Sequence, residues 1–557
     1  MKRLCEIMIA LMLCVALTLA FASCDISDGD GTTENEQGGS VGDNNENPEE
    51  NGGGDTNAPE SEGGNIENPD GGNGGDAPDD NEGDDPDDNN SDITEGDDAD
   101  ETVKAPSEGL AYKLSNDGTY YSVVGLGECV DTHIVIPAVY ESLPVKEIAE
   151  RAFENCKTLV SVEILGGVER ISYSAFSGCS YLADVKLGDS LEIINEGVFN
   201  FCSSLSEITI PKSVKTLAQS IFSHCGKLTV IEVDEANTIY KSVDGNLYSK
   251  DGKVLHQYAI GKKDDSFTVP DGVETIDREA FFCCTNLTSV KVSDSVKIIK
   301  DSAFSSCRNL ADLNLGSSVE SMGMDAFKSC YALTEIELPS SVKQIGTGAF
   351  FSCDNLSYNK YDNGYYLGND ENPYFALIKP TSQTISSCTI NNGTVVIANL
   401  ALNYCEHLRE IVIPDSVKYI GEEAFSYCYK LASVKIGEGV ESIGEKAFSY
   451  CTRLSSVVMG DGVKSIAKRT FADCTALTDI VIGKGVEEIA VWAFSRSNNI
   501  ESVYYNGTAE EWDKIGVDFE FENSELKNAT IYYYSETSVT DGVHWHYTES
   551  GEIEVWS

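Results

Sequence analysis

Cysteine is the residue whose type and spacing first suggest chemistry in this chain, because a thiol can bridge, ligate a metal or act as a nucleophile. Of eighteen cysteines, twelve close a near-constant Ala-Phe-x-x-Cys motif: Cys156, Cys179, Cys202 and Cys225, then Cys284, Cys307, Cys330 and Cys353, then Cys405, Cys428, Cys451 and Cys474. Every step inside each group is 23 residues. A zinc site needs paired Cys-x-x-Cys or Cys/His clusters, and the sequence has none. Residues that recur at one repeat position stack at the strand spacing of about 4.8 Å with parallel Cβ vectors, a geometry that disfavours disulfides. The twelve therefore read as a buried ladder of small apolar thiols. Cys388 falls on an inward strand position and joins the core, while Cys129 and Cys283 lie outside the pattern.

Other catalytic constellations are missing from the sequence. No Gly-x-Ser-x-Gly elbow, His-Glu-x-x-His helix or phosphate loop occurs. His544-Trp545-His546 would place two imidazoles on one strand face, but no third ligand is in sight, so packing is the favoured role. Many acids could converge in space, and no spacing singles out a pair. The chain reads as a binding protein without catalysis, metal or cofactor.

The elements that position these residues follow from the period. In one full unit the apolar or small positions are Leu408, Ile411, Ile413, Val417, Ile420, Ala424, Phe425 and Cys428. Ile411 and Ile413 alternate as in a strand, which Pro414 ends because it cannot donate to a ladder, and Gly421 permits a bend before Ala424-Phe425 turn inward. One unit cannot cover that face alone, so neighbours must stack into a repeat solenoid, with a parallel β-sheet on one side and short turns opposite. A thirteenth copy, Ala493-Phe494-Ser495-Arg496-Ser497, carries Ser in place of Cys, and Leu402 replaces Phe in another. Ile413-Pro414-Asp415-Ser416-Val417, Ile420-Gly421 and Ala424-Phe425-x-x-Cys428 resemble the BspA-type leucine-rich repeats of bacterial surface proteins. The resemblance covers roughly residues 108–505 and implies a right-handed coil and a habit of binding, as in adhesins; it names no ligand.

Two insertions interrupt the period. The first, near 234–266, carries Asp244-Gly245 and Asp251-Gly252 as hairpin turns and reads as a hairpin or meander. The second, near 359–387, lies before an expected strand at Cys388–Ile390; around and within it are Tyr358, Tyr361, Tyr365, Tyr366 and Tyr374. Residues 506–557 form an α+β aromatic cap: Thr508-Ala509-Glu510-Glu511 opens a short helix, and Trp512, Trp545 and Trp556 are suited to covering the last apolar face.

Taking the residue between the two inward strand positions gives an outward row: Glu163, Lys186, Thr209, Glu232, Thr268, Lys291, Asn314, Glu337, Thr389, Val412, Lys435, Val458, Val481 and Tyr504. Four of the last five are apolar, a strip that could be contact surface or simply β-propensity. The candidate ligand-binding residues are thus Val412, Lys435, Val458, Val481 and Tyr504, with Tyr504 as anchor, together with Tyr361, Tyr365 and Tyr366 of the second insertion.

The N-terminus sets the location. Lys2 and Arg3 precede an apolar run to Ala22, and Leu19-Ala20-Phe21-Ala22-Ser23-Cys24 resembles the lipobox of bacterial lipoproteins, which implies removal of residues 1–23 and lipidation of Cys24. Residues 24–107 are an acidic tether: 25–103 hold 28 Asp and Glu without Lys or Arg, over half of the net charge of -53. Such a segment cannot bury enough apolar area to order itself, and its self-repulsion extends it. The charge excludes nucleic acid and polybasic-style membrane binding. What remains is a monomeric, exported protein held to the membrane only by lipid, with an extracellular protein or glycan as partner; a structural spacer without ligand is the alternative, and a hydrolase hidden in the insertions a remoter one.

Overall fold

The computed structural model describes residues 105–515, 517 and 523–556. The expected signal peptide, Cys24 and nearly all of the acidic tether lie outside the described residues. Each 23-residue unit forms one turn of a parallel β-solenoid, with residues 23 apart paired in register: Glu410↔Ser433, Ile411↔Val434, Val412↔Lys435 and Ile413↔Ile436 in one sheet, and Tyr419↔Ser442 and Ile420↔Ile443 in a second. The second sheet, made mainly of strands two residues long, ends just before Gly421, on a side where the sequence suggested only short turns. It exists because Tyr419 and Ile420 are extended in every copy and the next turn sits directly above them.

The Ala-Phe-x-x-Cys turn closes a third side and bonds to its neighbour as a strand would. Glu423, Phe425 and Tyr427 donate their amides to Glu445, Ala447 and Ser449 carbonyls at 3.0, 2.8 and 2.9 Å. For alternate amides to point at the next turn, Glu423 (φ 52°) and Tyr427 (φ 62°) adopt left-handed backbone, and the corresponding residues repeat this from unit to unit. That conformation costs a non-glycine residue roughly 1–2 kcal/mol, so the inter-turn bonds must hold it. Inside, phenylalanine rings stack in runs, as in Phe281, Phe304, Phe327 and Phe350 at 4.6–5.6 Å and within 11° of parallel.

The ladder cysteines are buried, apart from half-buried Cys156, and their thiols are free. Each interior thiol donates to the backbone carbonyl of the phenylalanine position 26 residues earlier: Cys428 to Leu402 at 3.3 Å, Cys451 to Phe425 at 3.3 Å and Cys474 to Phe448 at 3.2 Å. No sequence pattern announces this bond. It explains Ser497, whose hydroxyl makes the same contact to Phe471 O at 2.7 Å.

Both insertions are built alike. An antiparallel pair, Tyr240–Val243 with Asn246–Ser249, or Asn359–Tyr361 with Gly364–Leu367, leads to a third antiparallel strand, Val254–Gln257 or Ala376–Pro380. That third strand then pairs in parallel with the short-strand sheet, Leu255↔Ile276 and Leu377↔Ile397. The expected strand at Cys388–Ile390 does not form, although Cys388 and Ile390 are buried as foreseen, and Glu337 keeps only an isolated bridge to Gly368. The meander displaces the neighbouring chain from which those residues would have drawn ladder bonds.

At the C-terminus a four-residue helix, Ala509–Trp512, begins with a reciprocal Thr508/Glu511 capping box. Thr530–Tyr534 extends the outer sheet beside Ser502–Tyr505, followed by His544–Tyr547 and Ile553–Val555. Only Trp512 of the three tryptophans joins the interior core. Trp545 is buried on the outside of the sheet, and half-buried Trp556 stacks on His546 at 3.6 Å, so the aromatic tail wraps the outer face as well as closing the end.

Burial pushes the thiols of Cys179, Cys225 and Cys405 up to about 12 from an ordinary 9. A folded value above the unfolded one stabilises below the unfolded pKa, and the stability is lost as pH rises toward the folded pKa. Folding stability should therefore fall above pH 9 by up to about 1.4 kcal/mol per buried thiol per pH unit, read as a falling midpoint of thermal unfolding. A chain with Cys428→Ala and Cys451→Ala should fall less steeply; an unchanged slope would contradict the assignment.

Candidate functional site

The outward row does lie along one face of the longer sheet, but it is not a uniformly open strip. Val412 is 60% exposed, Lys435 is exposed and Val458 is half-buried, whereas Val481 is only 3% exposed. Val481 and Trp545 are both buried outside the interior core. The aromatic tail accounts for this: Tyr504, paired with Val481, stacks on Tyr532 at 5.1 Å and meets the edge of Trp545 at 5.6 Å, and Trp545 also packs against Tyr534 and Tyr547. The Trp545 indole donates to Tyr505 O at 3.0 Å and fixes the lid. Val481 is thus inaccessible and Tyr504 half-covered, contrary to the expected exposed anchor. The apolar outward positions serve, at this end, to seat the chain's own tail.

The tyrosines of the second insertion divide similarly. Tyr366 is fully buried, so it packs rather than presents; Tyr361 is 37% exposed, in edge contact with Tyr366 and Tyr374 at 6.5 and 5.6 Å. Tyr365 is half-buried and lines a cleft of about 810 Å³ with Tyr358, Lys379, Ile378, Phe350 and Asn399. The Lys379 ammonium stands 4.1 Å over the Tyr358 ring and 5.9 Å from that of Tyr365. Loss of hydration there depresses its pKa, opposed by the nearby Cys353 and Asp354.

The sequence reading missed the third side. The left-handed residue before each ladder cysteine points outward, and over three successive turns it is tyrosine: Tyr404, Tyr427 and Tyr450 stack at 4.5 and 4.6 Å, within 5° of parallel. Tyr404 is 44% exposed, and Tyr429, one residue past Cys428, stands edge-on to Tyr427. Burial and the adjacent phenols raise the Tyr427 pKa. Beyond Tyr450 lies a smaller hollow of about 310 Å³ with Arg469, Arg496, Asp473, Lys446 and Glu423. Glu423 pairs with Lys446 at 2.9 Å and Asp473 with Arg496 at 3.5 Å, while Trp492, 39% exposed, takes Arg469 over its ring at 5.1 Å. The signal stands in the sequence as Tyr-Cys at 404–405, 427–428 and 450–451, outside the strand positions that the period marks as outward.

Among the described residues no group of three or more His, Cys, Asp or Glu could hold a metal, and no helix is long and apolar enough to cross a membrane.

A model of the BspA type leucine rich repeat region matches residues 132–246, 260–370 and 395–527 in six copies. Among solved structures, the chain is similar to a leucine rich cell surface protein from Faecalibacterium prausnitzii at 26% identity, covering 74% of this chain and 97% of that one, with a TM-score of 0.32. It is also similar to a T. pallidum leucine rich repeat protein at 26% identity, covering 46% and 91%, TM-score 0.27. The pneumococcal vaccine antigen PcpA follows at 18% identity, 77% and 97%, TM-score 0.29. No curated protein matches the chain.

The two valines of the outward row should part company on substitution. Val481→Glu places a carboxylate under the aromatic lid and should cost at least about 2 kcal/mol in chemical denaturation; Val412→Glu should stay within about 0.5 kcal/mol of the parent. Equal effects would mean that the tail does not cover the sheet.

Proposed function

Because this chain belongs to the BspA-type leucine-rich-repeat family, we propose that it is a cell-surface recognition module that holds an extracellular protein or glycan and performs no catalysis. The observation that carries the reading is the row Tyr404, Tyr427 and Tyr450 on the turn side of the solenoid. A line of phenols, exposed at Tyr404 and half-buried at Tyr427 and Tyr450, offers apolar edges and hydroxyls together, at little cost in side-chain entropy, and aromatic and arginine side chains dominate the energy of most binding surfaces. The flanking hollow supplies both charges in fixed pairs, suited to orienting a polar ligand rather than merely attracting one.

In this reading Cys24 carries the lipid, the acidic segment holds the solenoid away from the envelope, and the module works as a monomer. Partners carrying dense negative charge, nucleic acid among them, are disfavoured by the net charge. The outer-sheet residues Val412, Lys435 and Val458 form a second candidate surface, favoured by the 60% exposure of Val412.

Binding of the full chain to arrayed extracellular-matrix proteins, mucins and glycans tests the proposal. A saturable hit should weaken by about 30-fold, roughly 2 kcal/mol, in Tyr427→Ala and Tyr450→Ala and be unchanged in Val412→Glu. The reverse pattern would move the site to the outer sheet. Silence across the arrays from a folded chain would favour a spacer without ligand.

A further inference from the structure

The two insertions interrupt the turn-side ladder at two places, and at only one of them does the chain fill the gap with a segment bonded to the following turn. Where the ladder is continuous, the phenylalanine-position amide of one turn donates to the alanine-position carbonyl of the next, as in Phe327 to Ala349 and Leu402 to Ala424, at 2.8 and 2.7 Å. At the first break, between the turns of Phe222 and Phe281, the insertion itself supplies the rung. Tyr258 N donates to Ala280 O at 2.9 Å, and its ring stacks on Phe281 at 5.2 Å. Gly261 N donates to Leu228 O at 2.8 Å. Tyr258, Ala259 and Ile260 are all buried, and the remaining space is only about 130 Å³.

At the second break, between the turns of Phe350 and Leu402, the equivalent segment stays out. The strand registers make Leu255 equivalent to Leu377, hence Tyr258 to Pro380. Pro380 has no amide hydrogen to give, and Thr381 N instead bonds back to Asn363 O at 2.8 Å, continuing the hairpin. Tyr-Ala-Ile-Gly has become Pro380-Thr381-Ser382-Gln383, of which Ser382 and Gln383 are exposed. The consequence is the cleft of about 810 Å³. On one wall Ala401 O and Asn403 O accept no hydrogen bond from the described residues, and on the other Phe350 N and Ser352 N donate none to them; Phe222 N, His224 N and Phe282 O are likewise without a backbone partner at the first break, so Ala401 O, the counterpart of Ala280 O, is the group that sets the second break apart.

We propose that this second cleft is a docking site for an extended polypeptide segment of a partner, one with an aromatic residue followed by small or aliphatic residues, which completes the missing rung as Tyr258–Gly261 does at the first break. The occupant's amide meets Ala401 O, its aromatic ring fills the gap in the ring ladder beside Phe350, and Tyr358 and Tyr365 wall the far side. Strand addition of this kind takes affinity from main-chain bonds and specificity from side-chain pockets, and the cleft volume falls in the range of formed ligand pockets. The site is separate from the tyrosine row and stands or falls apart from it.

The chain's own plug provides the probe: a fluorescent peptide copying residues 254–263, titrated against the full chain by anisotropy near 0.15 M salt, where distant charge is screened. Saturable one-site binding is expected, weakened at least about tenfold when serine replaces the peptide's tyrosine. Grafting the plug into the second insertion (Pro380→Tyr, Thr381→Ala, Ser382→Ile, Gln383→Gly) should abolish binding by filling the cleft in cis. Ile378→Trp, which fills it from the floor, should do the same if the graft misfolds, and Tyr427→Ala should leave binding unchanged. Absence of saturation, equal affinity for the serine peptide, or undiminished binding to a folded filled variant would overturn the proposal.

Discussion

Everything in this molecule depends on each 23-residue turn finding a neighbour in register on both sides. A single turn has three extended sides whose alternate amides and carbonyls point along the solenoid axis, and none of them can be satisfied within the turn. The left-handed residues at Glu423 and Tyr427 show how firmly this governs the backbone: they are held against their own steric preference because that is the conformation in which their amides reach the next turn. The ladder cysteines answer the same need from inside. A thiol donating to a phenylalanine carbonyl of the preceding turn ties successive rungs while remaining small enough for the phenylalanine rings to stack.

Function follows from where that regularity is spent or broken. The inward positions are confined by stacking to small or apolar side chains, with exceptions as slight as Leu402 for Phe and Ser497 for Cys, and part of the outer sheet is occupied by the chain's own aromatic tail around Trp545. The outward-pointing left-handed residue is free to change from turn to turn, and it runs through Asn155, Phe201, His224, Ser306 and Ser352 before becoming three successive tyrosines. A row of this kind inherits its spacing from the backbone, so the phenols are stacked without any need to attract one another. The two insertions act differently: each removes a rung from the turn side, and whether a cleft results depends on four residues that either fold in or continue the hairpin.

Much of the fold was legible because a repeat reveals its contacts by their period. Ile411, Ile413, Ala424, Phe425 and Cys428 could be assigned inward from spacing alone, and parallel stacking of the cysteines argued correctly against disulfides. The second sheet was not legible, since two-residue strands such as Tyr419–Ile420 carry too little alternation to distinguish them from a bend. The outward row was read in the right register but not its accessibility. Val481 and Tyr504 look exposed until the later strands at Thr530–Tyr534 and His544–Tyr547 fold over them, and no local pattern reports that. The tyrosine row was in plain view as a Tyr-Cys repeat, but its direction depends on a positive φ that sequence does not announce at a non-glycine residue.

A continuous rung-to-rung ladder holds the solenoid and is interrupted on the turn side at two places, one of which the chain itself fills at Tyr258–Gly261. Hydrogen exchange resolved to single amides measures this directly. Slow exchange is expected at Phe327, Leu402, Phe425 and Tyr427, slow exchange at Tyr258 and Gly261 where the first break is plugged, and fast exchange at Phe350 and Ser352 beside the open one. Slow exchange at Phe350 and Ser352 matching that of Phe327, in the absence of any added ligand, would contradict it.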